Sequence, residues 1–128
     1  MSLRSPLGRV LGRGSAHEGV EHWWAQRLTA AALVILGIWF LVSLLTLRVY
    51  DHASVVAWMG GGWTTVMLIL LVLVAAWHSL LGVRVVIEDY VHTAGTKTAA
   101  LVLITFVHVL LAAAGAIAVL RVAFGSVG

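Results

Sequence analysis

The stretch WTTVMLILLVLVAAWHSLLGV, from Trp63 to Val83, contains no Asp, Glu, Lys or Arg. A run of about 20 apolar residues matches a hydrocarbon core about 30 Å thick when wound as a helix. Two more runs have the same character: LTAAALVILGIWFLVSLLTL, Leu28 to Leu47, and TAALVLITFVHVLLAAAGAIAVL, Thr98 to Leu120. In hydrocarbon every backbone N–H and C=O must be paired within its own segment, so such runs form helices rather than open strands. The sequence therefore predicts an all-α membrane protein with three transmembrane helices. GGG at Gly60–Gly62 breaks the chain before the second helix, and HTAGTKT around Gly95 makes the turn before the third.

Composition agrees. Of 128 residues, 62% are hydrophobic and 10% charged, more apolar surface than a soluble domain of this length can hide. With no cysteine there is neither a disulfide framework nor a thiolate metal site. The net charge of +3 falls mostly outside the apolar runs, and no basic patch interleaved with aromatics points to nucleic acid. Basic residues set the expected orientation. Arg4, Arg9, Arg13 and Arg27 precede the first helix, and Arg84 and Lys97 flank the second connection, on the same side. Only Arg48 and Arg121 lie on the other. The N-terminus is accordingly expected in the cytoplasm. The chain divides into a cytoplasmic tail (1–27), a three-helix anchor domain (28–121) and a short outer tail (122–128). The absence of an ordinary-length transit segment favours a bacterial inner membrane over a mitochondrial one.

The chemistry lies in WHSLLGVRVVIEDY, Trp77 to Tyr90. At about 100° per residue, Gly82 falls about 40° from His78 and Asp89 about 20° from it, so the three share a stripe. The rise from His78 to Asp89 is about 16 Å, roughly half the hydrocarbon thickness. An ionisable side chain at that depth is costly without a partner. An interhelical hydrogen bond, a proton relay or a haem iron could each supply one, and the spacing does not choose among them. Gly82 leaves room either for a flat macrocycle or for a neighbouring helix. Arg84 is one turn from Glu88 and can pair with it. His108, on the third helix, has Ala112 and Gly115 on its face and is read as an interhelical hydrogen bonder. Trp23, Trp24, Trp58 and Trp63 read as interfacial anchors; Trp39 and Trp77 lie deeper and read as packing residues.

The pattern of His78, Gly82 four residues on, and Asp89–Tyr90 eleven and twelve residues on resembles the signature of the hydrophobic membrane-anchor subunit (D-type) of succinate:quinone oxidoreductase, respiratory complex II. HWWAQRLTA also resembles that family's entry into its first helix, with Arg27 and Thr29 in the matching places. The resemblance runs from about Gly19 to the end. It implies that His78 is an axial ligand of haem b, with Gly82 and Arg27 in the haem pocket and Arg27 near a propionate. It implies that Tyr90, with Asp89 close by, binds ubiquinone. It also implies a second three-helix anchor, the C-type cytochrome b subunit, as the source of the other iron ligand. An iron–sulfur subunit and a flavoprotein subunit would carry the succinate chemistry, leaving this chain a non-catalytic part of succinate dehydrogenase in electron transport and the tricarboxylic acid cycle. Two rival expectations stand beside it: a stand-alone b-type cytochrome using His78 and His108, and a non-redox membrane transporter or assembly factor with proton-relaying histidines.

Overall fold

The computed structural model describes residues 16–125. Most of the expected N-terminal tail and the last residues of the outer tail lie outside them, as do Arg4, Arg9 and Arg13. Four helices make up the described chain: α1 (Ala16–Leu45), α2 (His52–Met59), α3 (Gly62–Tyr90) and α4 (Ala94–Phe124). The chain's single proline precedes all of them, so nothing in α1, α3 or α4 removes a backbone donor mid-helix. Three segments are long and apolar enough to cross a membrane: Gly19–Leu45, Gly62–Tyr90 and Ala94–Phe124. At about 1.5 Å per residue, a helix of 29 residues is about 43 Å long and outreaches the hydrocarbon layer into both interfaces.

The helices extend beyond the apolar runs. α1 begins at Ala16, so the boundary drawn between Arg27 and Leu28 falls inside a helix. The added turns carry Glu21, His22, Trp23, Trp24 and Gln26. They are polar enough to leave the hydrocarbon, yet hold no proline to stop the helix. α2 was not expected at all. It is short and starts at an Asp51 cap whose carboxylate accepts from the Ser54 N–H at 2.8 Å. Its Trp58 ring stacks on Trp39 of α1, with centroids 6.5 Å apart, and meets Phe40 at 6.1 Å. The α2–α3 turn is tight: a Cβ on Gly61 would stand 3.3 Å from the Trp58 carbonyl oxygen.

α3 is the middle of a layer, packed against α1 on one side and α4 on the other, while α1 and α4 do not meet. Few side chains are buried within the isolated chain: Leu36, Leu68, Leu81 and Val119, together with Thr29 and Thr65. The large apolar side chains Leu45, Ile35, Leu110 and Phe106 are instead exposed. That distribution suits lipid, which is as apolar as leucine and gives these side chains no reason to turn inward. The interior is therefore made by close fit and by hydrogen bonds. Gly115 on α4 takes the Val72 side chain of α3 so closely that a Cβ there would lie 2.7 Å from Val72 Cγ1. Thr65 donates its hydroxyl to the Met59 carbonyl at 2.7 Å, tying the start of α3 to the end of α2.

Candidate functional site

Thr29 is among the most buried polar residues, 6% exposed, and it sits in the α1–α3 seam. Its hydroxyl lies 2.8 Å from the Ala25 carbonyl oxygen and 3.1 Å from that of Gln26. Both oxygens can only accept, and the hydroxyl has a single proton to give. The same Oγ1 is 2.9 Å from His78 Nδ1. With its proton on α1, Thr29 accepts from Nδ1–H and the lone pair is on Nε2; with its proton towards His78, Nδ1 is the acceptor. A hydrogen bond to the far ring nitrogen of this kind orients a ligating histidine and, when Nδ1 donates it, raises its basicity.

The surroundings leave room beside it. Gly82 is half-buried, and a Cβ there would meet only Gln26 Nε2, at 3.8 Å. Asp89 and Tyr90 are the last two residues of α3, both exposed. Asp89 keeps to the His78 side, whereas Tyr90 turns about 120° away from His78 around the helix. The structure thus brings His78, Gly82 and Asp89 to one face of α3. It does not bring Arg27 to them: two residues before Thr29 and about 200° around α1, Arg27 is exposed and holds its guanidinium 4.9 Å from the Trp23 ring centroid.

His108 is engaged on both ring nitrogens. Nδ1 lies 2.7 Å from the Ile104 carbonyl oxygen and Nε2 lies 3.2 Å from Ser79 Oγ. The carbonyl accepts from Nδ1–H, so Nε2 accepts from the Ser79 hydroxyl. The interhelical role expected for His108 is what the α3–α4 seam contains. Ser79 and Thr29 were the residues sequence reasoning did not assign to these bonds. The only signal for either was a hydroxyl inside an apolar run, which in a bilayer commonly marks a bond between helices. Among the described residues no three His, Cys, Asp or Glu side chains cluster as a metal site.

At the same end of the bundle as Asp89, Lys97 donates to the Glu88 carbonyl at 2.9 Å, a cation at the C-terminus of α3 that also pins the turn to α4. The pairing expected of Arg84 with Glu88 does not satisfy Arg84 Nε, which is buried without a hydrogen-bond partner among the described residues.

Three long apolar helices in a layer define a multi-pass helical membrane protein. Residues 1–112 match the family of succinate dehydrogenase/fumarate reductase transmembrane subunits, and the chain belongs to that family. It is similar over nearly its full length to the succinate dehydrogenase hydrophobic membrane anchor subunit of Paracoccus denitrificans, with 30% identity over 127 residues, 99% of this chain and 98% of that one. The proteins of the same name from Rickettsia conorii and Rickettsia bellii are 31% and 32% identical, each over 70% of this chain and 71% of their own. No solved structure matches it.

Proposed function

We propose that this chain is the anchor through which a succinate dehydrogenase is held on the membrane, and that His78 Nε2 supplies one axial ligand to haem b. The observation that carries the reading is the Thr29–His78 contact, which orients the ring through Nδ1 and turns Nε2 away from Thr29. Family membership supports the anchor role. Haem b held there supplies reversible one-electron chemistry, and its other ligand comes from a C-type cytochrome b anchor of three helices. Thr29 orients the imidazole, and Gly82 keeps the face beside it clear of side chain. Arg27 reaches a propionate by leaving the Trp23 ring.

Tyr90 donates its phenol to a ubiquinone carbonyl, and Asp89 passes protons from water at the end of α3. A phenol and a carboxylate at a helix exit can perform these roles because both are reachable from water and from the interfacial depth where a quinone ring resides. The N-terminus faces the cytoplasm of a bacterium, and the iron–sulfur and flavoprotein subunits dock on that side of the inner membrane. The test is purification of a tagged chain in mild detergent. The reading expects a flavoprotein, an iron–sulfur protein and a second three-helix chain to accompany it. Recovery of the chain alone, with a full complement of haem, would support the stand-alone cytochrome instead.

A further inference from the structure

α3 ends without a glycine closure. Its last backbone bond runs from the Val91 N–H to the Ile87 carbonyl at 2.9 Å, and Val91 is extended, with φ −99° and ψ 107°. A left-handed residue at that place would turn further N–H groups back onto the helix. Here the next carbonyl, that of Glu88, is among those a helix C-terminus leaves without a partner inside the helix. It is met from the following element: Lys97 Nζ donates to it at 2.9 Å. Lys97 is itself held in place. It is half-buried, and its own N–H is bonded to the Thr93 carbonyl at 2.9 Å in the first turn of α4. Only residues 91–93 separate the two helices. An ammonium at this point also meets the negative end of the α3 dipole.

The consequence falls on the two residues after Glu88. Asp89 and Tyr90 complete α3 and both are exposed, Tyr90 by 80%. With so little packing around the ring, the direction of the phenol is set by the backbone of the last helical turn. We propose that Lys97 is a positioning residue for the quinone site: by holding the Glu88 carbonyl across the α3–α4 turn, it keeps the last turn of α3 wound and the Tyr90 phenol aimed. This rests on the quinone role proposed for Tyr90. Lys97 does not itself touch the quinone; it acts through the backbone that carries Tyr90.

The experiment uses the complex as purified, with succinate and a short-tailed ubiquinone. Lys97→Met keeps most of the side chain's length and removes the donor. KM for the ubiquinone should rise about three- to tenfold, less than a buried charge-assisted hydrogen bond would give because the contact is open to water. Turnover at saturating ubiquinone should change less than about twofold, the mark of lost binding rather than lost chemistry. Lys97→Arg, which keeps a cationic donor, should hold KM within about twofold of the unsubstituted protein. Amide exchange at Val91 should quicken in Lys97→Met and not in Lys97→Arg. In a Tyr90→Phe background, Lys97→Met should add less than about twofold to KM, because a residue that acts through the phenol has nothing left to aim. Tyr90→Phe alone separates the two readings. If it leaves KM unchanged, the quinone role fails and this inference with it; if it raises KM and Lys97→Met does not, this inference alone fails. An equal effect of Lys97→Met in both backgrounds overturns it, as does a raised KM with unchanged Val91 exchange or a parallel loss of succinate oxidation by a soluble dye. Should Lys97→Met not assemble, Lys97→Gln, a shorter and neutral donor, replaces it with changes expected in the same direction.

Discussion

At the scale of single residues, the proposed iron ligation turns on His78 and the partner its Nδ1 meets. The sequence made His78 conspicuous because an ionisable group in an apolar run needs a partner. It could not supply that partner, since Thr29 lies 49 residues away and is recognisable only once α1 and α3 are side by side. Thr29→Val keeps the shape of the side chain and removes the hydroxyl. The expected outcome is retained assembly with haem affinity lowered about 10- to 100-fold, as is typical for loss of a partner behind a metal ligand, read by haem titration of the assembled complex. His108 was legible as a hydrogen bonder, and both its nitrogens are taken within the chain. His108→Ala should therefore leave the haem spectrum essentially unchanged while weakening the α3–α4 seam by about 1–2 kcal/mol, read as an earlier thermal midpoint. Tyr90→Phe removes one phenolic donor at an exposed position. It should lower quinone reduction by the equivalent of about 0.5–1.5 kcal/mol and leave succinate oxidation by a soluble dye intact; equal loss of both activities would mean an assembly defect.

Among the elements, the three spans were readable because hydrocarbon imposes length and composition together. The N-terminal turns of α1 and the whole of α2 were not. AHEGVEHWWAQR has no apolar run to announce a helix, and α2 is eight residues held by a cap and by Trp58 against Trp39 and Phe40. The Asp51 cap has a pH signature. Hydrogen bonds from Ser54, its side chain first and its backbone next, hold the Asp51 carboxyl below its ordinary 3.8. A lowered carboxyl pKa contributes stability above the unfolded value and loses it as pH falls through the folded one. Amide exchange at Ser54 and Val55 should therefore quicken, relative to α3, only as the pH drops below 3.8. The α3–α4 contact turns on one glycine. Gly115→Val drives a branched side chain into Val72, whose Cγ1 would stand 2.7 Å from even the first added carbon. Overpacking of this sort costs about 1–3 kcal/mol, and Val72→Ala in the same chain should restore part of it, measured by thermal denaturation in detergent.

For the whole molecule, the chain buries little because lipid gives its apolar side chains no reason to turn inward. Its α3 presents His78, Gly82 and Asp89 on one face, with Arg84 about 200° around the helix from Gly82. The order of helices followed from hydropathy, whereas their side-by-side arrangement did not: with apolar residues all round each span, no hydrophobic stripe says which face meets which neighbour. The Asp89–Tyr90 pair was legible as a unit in sequence, yet the helix turns Tyr90 about 120° away from His78, so the roles proposed for Tyr90 and His78 would use different faces of α3. The central claim is that His78 holds iron through Nε2 from within a two-chain anchor. Its most direct test is the reduced-minus-oxidised spectrum of the membrane complex, with both anchor chains co-expressed, for His78→Ala beside the unsubstituted protein. The account predicts loss or a marked shift of the low-spin haem b bands with all subunits still assembled. An unaltered low-spin spectrum in His78→Ala, accompanied by haem loss in His108→Ala, would contradict it.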